Sequence, residues 1–345
     1  MALKIDIWGA GVAGRLCALY LTEPTRRWPR PLQLTLYDKA QQAGGFTRAA
    51  AKVAAAMLCP AAESALLPAE LVPLAQHSLA LWQDLAQQLP GLWLQQQGCI
   101  LLSHPQQQSQ LQQQVRQLKL AAQPLDATQL SSLEPALSGR FNHGWFCPQD
   151  AQTDSDSFLQ HSQAELQQRD VRFQQLAAAD CDANQLSRAK ANCDLLLDCR
   201  GLGAKTDWPQ LRPVRGEILR LRCSEISLKR PVRYYHPRYS LYVAPKAAQQ
   251  FVVGATEIES ASEQGCTVRS ALELLSALYA LHPGFAEAEI LTLSASARPT
   301  LPSPVPQIQQ QDGVIALNGL SRHGYLLGPV FARQTADLAQ QLLCH

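Results

Sequence analysis

Charge is scarce in this 345-residue sequence: Asp, Glu, Lys and Arg make up 17% of it and sum to a formal +2. So small an excess excludes a general field for nucleic acid or an acidic membrane and leaves only local patches. Long apolar runs are missing too. No window holds about 18 uncharged apolar residues, so no membrane span is expected. The opening Met1-Ala2-Leu3-Lys4-Ile5-Asp6 meets charge too early for a secretory leader. Several catalytic signatures are absent: no Gly-Lys-Ser/Thr phosphate loop, no G-x-S-x-G elbow and no HExxH. The ten cysteines include no Cys-x-x-Cys pair and no close Cys/His grouping. That argues against a structural metal and a disulfide framework, and for buried reduced thiols in a cytoplasmic protein.

What is present suits a globule. An apolar content of 46% excludes wholesale disorder, and the length predicts two or three structural units. Ile5–Trp8 reads as a short buried strand that turns through Gly9-Ala10-Gly11-Val12-Ala13-Gly14 into a helix over 15–21. Leu32–Asp38 alternates as a second strand. Helices are predicted over 66–90, over the glutamine-rich 105–120, and over 156–170. Residues 193–199 form a buried strand running into a glycine turn, and 212–254 read as antiparallel β. Thr267 caps a helix whose apolar positions are Val268, Ala271, Leu272, Leu275, Leu278 and Tyr279. Strand 314–318 then leads into a last helix from about Gly328 to Leu343. A βαβ start, a β-rich middle and a strand–helix end predict a discontinuous nucleotide-binding domain with an insertion.

Gly9-x-Gly11-x-x-Gly14 gains meaning from its place between a strand and a helix. The chemistry asks for a tight turn, bare backbone beside a pyrophosphate, and helix N–H groups aimed at negative charge. Asp38, at the end of the next strand, can accept from ribose hydroxyls. The motif alone does not separate NAD from FAD.

Other blocks decide more. They are Gly44-Gly45-Phe46-Thr47-Arg48, the alanine run ending in Ala56-Met57-Leu58, and Arg212-Pro213-Val214-Arg215-Gly216-Glu217. They continue with Tyr242-Val243-Ala244-Pro245-Lys246, Val252–Glu257, Arg298-Pro299-Thr300 and Asn318–Pro329. This ordered set resembles the glycine oxidases of the ThiO type in the D-amino-acid oxidase superfamily, over nearly the whole chain. The resemblance implies an α/β fold: a discontinuous Rossmann-like FAD-binding domain of the D-amino-acid oxidase (GR2) type, with an inserted α+β substrate domain built on an antiparallel sheet. Residues 1–85, 145–210 and 295–345 are assigned to FAD binding, and 86–144 and 211–294 to the substrate domain.

It also implies site residues. Non-covalent FAD is expected on Gly9, Gly11, Val12, Ala13, Gly14, Asp38 and Lys39, on Gly45, Phe46, Thr47 and Arg48, and on Ala55, Ala56 and Met57. Cys199, Arg200 and Gly201 are placed over its adenosine half. Arg298, Arg322, His323, Gly324, Tyr325, Leu326 and Leu327 are placed at the flavin. Arg298 matches the carboxylate-binding arginine, whose planar fork fixes an α-carboxylate as a lysine does not. Tyr242 is expected to face the same carboxylate, and Arg322 to border the substrate. His323 is read as structural or solvated rather than as a general base, and Gly324 as permitting close approach and a positive φ.

The implied activity is oxidative deamination of glycine or a related small amino acid. An imine forms and hydrolyses to a 2-oxo acid and ammonia, dioxygen becomes hydrogen peroxide, and thiamine thiazole synthesis is the implied context. Two departures bear on the substrate: Asp38 replaces the commoner glutamate, and Glu257-Ile258-Glu259 stands where an apolar segment is common. Two alternatives stay open: a non-catalytic FAD-binding scaffold, and an enzyme acting on an amine of a macromolecule, such as tRNA or a protein side chain, through seven arginines from Arg212 to Arg238. The same stretch also reads as the polar face of a twisted sheet, and nucleic acid is not expected as a partner. A homo-oligomer is left open.

Overall fold

The computed structural model describes residues 2–39, 49–175, 189–262 and 264–344. Two large sheets organise the chain. The first has six strands, in the order Gln307–Gln311, Val314–Asn318, Leu195–Asp198, Leu3–Trp8, Leu32–Asp38 and Arg172–Gln175. All neighbours are parallel except the Gln307–Gln311 edge, which pairs antiparallel with Val314–Asn318. Parallel strands need covered faces, and the sequence supplies that cover. Helices Val12–Leu21, Leu71–Gln88, Ser155–Gln168 and Gly324–Cys344 join the sheet in one core containing Leu16, Trp82, Phe158 and Leu327.

The second sheet has nine strands. Arg212–Arg222, Gln250–Gly254, Leu241–Pro245 and Val232–Tyr235 follow in antiparallel register. Glu289–Thr300 pairs along the whole length of Arg212–Arg222, with a register shift at Arg220/Leu221. One junction departs from the antiparallel expectation: Val232–Tyr235 runs parallel to Cys99–Ser103. Ile258–Glu259, antiparallel to Arg212–Arg222, together with His143–Cys147 and Gln123–Asp126, completes the sheet. A small third sheet of Met57–Leu58, Ala151–Thr153 and Leu94–Gln95 lies at the join. The α/β class expected from the sequence is the class found.

Two helices differ from expectation, each for a physical reason. Helix Val268–Leu281 is capped as expected, the Thr267 hydroxyl accepting from the Ser270 N–H at 3.2 Å. The face it buries is Leu274, Ala277, Leu278 and Leu281, whereas Val268, Leu272 and Tyr279 stand exposed. Both stripes satisfy a 3.6-residue period, so periodicity could not choose between them. The last helix starts at Gly324, one turn before the expected Gly328, and continues through Pro329. A proline inside a helix cannot donate to the carbonyl four residues back. That carbonyl belongs to Tyr325, and the Trp82 indole N–H takes it up at 2.8 Å.

The cysteines scattered in sequence are mostly buried, as expected. Three of them nevertheless converge: Cys99 lies opposite Cys147 across two strands, and Cys59, Cys99 and Asp150 lie within 4.8 Å of one another. Asp150 already accepts from the Ala61 and Ala62 N–H groups at 2.8 and 3.0 Å, and Cys59 donates to the Ala151 carbonyl at 3.5 Å. Burial pushes the Asp150 carboxyl up to about 7. Its oxygens serve to cap the short helix Pro60–Glu63. Among the described residues, no helix is long and apolar enough to cross a membrane.

Candidate active site

A cavity of about 950 Å³ lies between the two large sheets. That volume is at the upper end of the ~300–1,000 Å³ usual for ligand sites, large enough for an extended cofactor with a small substrate.

Its first wall is the glycine turn. Gly9 takes φ +100°, and a Cβ there would overlap the Cys199 carbonyl. A Cβ on Gly14 would overlap the Gly9 carbonyl, so Gly14 packs the turn against its own helix and does not line the cavity. Gly11 is the reverse case: a Cβ would meet nothing within 4 Å and would project into open space. Helix Val12–Leu21 begins here with no side-chain cap, which leaves its first N–H groups free for an anion. Arg15, fully buried one residue after Gly14, ties the helix to Ala10 and Leu159 carbonyls at 2.8 and 2.9 Å. Asp38 accepts from the Ala10 N–H at 2.8 Å and so braces the turn as well as facing the cavity. Lys39, exposed, lines the same end.

Ala55, Ala56 and Met57 form the next wall, with Ala56 at φ +50°. Cys199, Arg200 and Gly201 line it opposite; Arg200 is held by Asp198 and Asp207, each at 2.7 Å. Arg322, His323, Gly324, Tyr325 and Leu326 come from the last turn and helix. Leu327 does not line the cavity; it is buried in the core. Gly324 is helical, with φ −53°, so the positive φ expected of it is absent. Gly319 and Ser321 take the left-handed conformation instead, at +83° and +46°. The close approach does hold, since a Cβ on Gly324 would come within 3.3 Å of Val12. Gly45, Phe46, Thr47 and Arg48 lie outside the described residues.

The third wall belongs to the nine-stranded sheet. Arg298 reaches over Gly216, where a Cβ would overlap its guanidinium. Gly254 plays the same part under Tyr242, whose hydroxyl would lie 2.8 Å from a Cβ there. These two glycines form the floor on which the arginine and the phenol rest. Arg298 Nη2 is 3.5 Å from the Thr256 carbonyl, and among the described residues Arg298 forms no ion pair with a carboxylate. Burial raises the Tyr242 phenol, so it stays protonated and able to donate at neutral pH.

Sequence reasoning missed two charged groups here, Glu63 and Arg233. Arg233 Nη1 donates to Glu63 Oε1 at 2.5 Å, and Arg322 Nη2 donates to both Glu63 oxygens at 3.2 and 3.1 Å. No local signal marks a pair 170 residues apart. Burial alone would raise the Glu63 carboxyl, but Arg233 and Arg322 outweigh it and hold it at about 2. A carboxylate depressed in the folded state stabilises above its ordinary value of 4.5 and loses that contribution as pH falls toward 2. The difference is worth about 3 kcal/mol. Between pH 5 and 2, wild type should therefore lose about 3 kcal/mol more stability in urea titrations than Glu63→Gln; equal losses would contradict the pairing. His323 is half-buried and is pushed down to about 4 by burial and by the three nearby guanidiniums against Glu63. It is neutral at pH 7 and lines the cavity. Glu257 is exposed at the cavity edge, 3.8 Å from Arg322.

The basic stretch is largely neutralised. Arg212, Arg215, Arg220, Arg222, Arg230 and Arg233 pair with Glu259, Glu217, Asp154, Glu289, Glu134 and Glu63 respectively. Arg215 and Arg230 are buried rather than lying on a wet face. Little charge is left there to attract a phosphate backbone.

The glycine turn, the uncapped helix and the open space at Gly11 fit a pyrophosphate, and the cavity beyond has room for a ring system. Comparison with known proteins names that group: residues 5–338 match the family described as FAD dependent oxidoreductase. The chain belongs to that family. It is 33% identical to a Rhizobium etli protein described as a thiamine biosynthesis oxidoreductase, ThiO, over 97% of this chain and 95% of that one. In fold it is similar to glycine oxidase from Geobacillus kaustophilus, with TM-score 0.77 and 19% identity over 99% of this chain and 95% of the other. It is equally similar to iminodiacetate oxidase from Chelativorans, with TM-score 0.77 and 19% identity over 98% and 95%. The chain is thus an FAD-dependent oxidoreductase of the ThiO type, and its cofactor is FAD.

Proposed function

We propose that this protein oxidises the amino group of glycine or a related small amino acid to an imine, which water hydrolyses to a 2-oxo acid and ammonia. Dioxygen is the proposed electron acceptor, hydrogen peroxide the by-product, and thiamine thiazole synthesis in the cytoplasm the setting. One observation carries this reading: among the described residues Arg298 is a guanidinium without a carboxylate, lying over Gly216 in the cavity that Tyr242 also lines. A substrate α-carboxylate supplies its missing partner through two parallel charge-assisted bonds, and the Tyr242 hydroxyl donates a third.

FAD is proposed to be held, without covalent attachment, by the glycine turn and first helix, Asp38, Cys199–Gly201 and the turn at 322–326. When bound, it supplies the acceptor for the electron pair of the amine Cα–H bond. The chain's own residues orient and desolvate. Arg298 and Tyr242 fix the carboxylate, and with it Cα. Ala55, Ala56 and Met57 present small apolar surface that keeps water sparse. His323, held near 4, is a poor proton acceptor, and Glu63 is engaged by two guanidiniums. The amine therefore enters neutral, its proton left to solvent, and the rate comes from positioning.

The six-stranded unit is the proposed FAD half. Because Glu289–Thr300 pairs along Arg212–Arg222, we place the substrate half's boundary after Thr300 rather than at 294. An enzyme for a macromolecular amine would need the basic stretch free, and six of its seven arginines are ion-paired. The test is anaerobic: purified yellow protein mixed with glycine, sarcosine or D-alanine should bleach near 450 nm. A spectrum unmoved by all three would defeat the proposal.

A further inference from the structure

Three guanidiniums and two carboxylates face the substrate end of the cavity: Arg298, Arg233 and Arg322 against Glu63 and Glu257. Glu63 is the shared partner. It takes Arg233, on strand Val232–Tyr235 of the nine-stranded sheet, and Arg322, on the last turn of the FAD half, and so bridges the cavity. Its place is fixed from behind, because Asp150 holds the two residues before it through the Ala61 and Ala62 N–H groups. The side chains of Glu63 and Arg233 are only 13% and 14% exposed, so solvent screens their charges weakly. With Glu63 in place the wall carries one net positive charge, located at Arg298.

We propose that Glu63 is the charge-setting residue of this site: by occupying Arg233 and Arg322 it confines the cavity to ligands with a single carboxylate. The proposal rests on the amine-oxidase reading for its purpose but not for its test. A second carboxylate would need a cation that Glu63 already holds, and would set a further negative charge beside the weakly screened Glu63 carboxylate. Removing the Glu63 charge frees Arg233 of its carboxylate, leaves Arg322 only its 3.8 Å contact with exposed Glu257, and opens a second anion site. Glu63 acts through those arginines and is a positioning residue rather than a catalytic one.

The test uses FAD-loaded protein and two non-reacting ligands that differ by one carboxylate, propionate and succinate. Their dissociation constants are read from perturbation of the flavin spectrum at fixed ionic strength. Wild type should prefer propionate. Glu63→Gln should shift the preference toward succinate about tenfold or more, the scale of one charge-assisted pair. Glu63→Asp keeps the charge and should keep the wild-type preference even if it lowers stability, which a purely structural role would not distinguish. Arg233→Met removes a cation and should move the preference further toward propionate. A Glu63→Gln protein that retains FAD with an unchanged ratio overturns the proposal. If that variant does not fold, an unmoved ratio in Arg233→Met overturns it equally. Failure of every amine to bleach wild type would defeat the amine-oxidase reading alone, since the carboxylate ratio needs no turnover.

Discussion

Arg298→Ala is expected to raise the amino-acid KM by 10²–10³-fold, with FAD still bound and kcat reduced less. The estimate follows from two charge-assisted hydrogen bonds, together about 3–4 kcal/mol, lost from ground and transition states alike. Arg298→Lys keeps the charge but not the fork, and should recover only part of the loss. A second substitution tests the same contact without touching the ligand. A Cβ at Gly216 overlaps the Arg298 guanidinium, and Val214, the ladder partner of Arg298, fixes the strand so that backbone cannot relieve the clash cheaply. Gly216→Ala should therefore raise KM by displacing the arginine, with the absorption spectrum unchanged. Steady-state kinetics of both variants check the claim, and wild-type KM in Arg298→Ala would remove that residue from the site.

What could be seen in the sequence divides along the range of the interactions. The glycine turn, the strand before it and Asp38 lie within one βαβ unit, and their placement is dictated by neighbours in the chain; that placement was legible. Arg298 and Tyr242 were legible only through resemblance, because the glycines beneath them, Gly216 and Gly254, come from other strands. Glu63 and Arg233 carried no signal at all: an acid closing a four-residue helix and an arginine among six others look like ordinary surface charge until folding joins them. The macromolecular alternative for the arginine stretch arose for the same reason. Its partners Glu134, Asp154, Glu259 and Glu289 are spread along the chain, so a local count of charge overstated what remains free. Pro329 misplaced a helix start because the group that compensates for it, the Trp82 indole, lies 243 residues from the carbonyl it bonds.

The three glycines of the phosphate turn look alike as letters but should fail differently. Gly11→Val places its side chain in the open cavity, so the fold should survive while the FAD phosphates lose their berth. The expected product is a colourless protein with near-wild-type circular dichroism and cooperative unfolding. Gly14→Val drives a side chain into the Gly9 carbonyl at the junction of the first strand and helix, where Ile7 lies behind it. That joint sits in the main core, and overpacking there costs about 1–3 kcal/mol or more. Its expected product is poorly soluble or unfolded at ambient temperature. Gly9→Val joins the second class, since φ +100° and the Cys199 carbonyl both oppose a side chain. Far-UV circular dichroism with bound-flavin absorbance separates the outcomes. Should Gly11→Val keep its flavin, the open space beside Gly11 is not where the pyrophosphate lies. Should it unfold like Gly14→Val, the turn is under a constraint that its surroundings do not reveal.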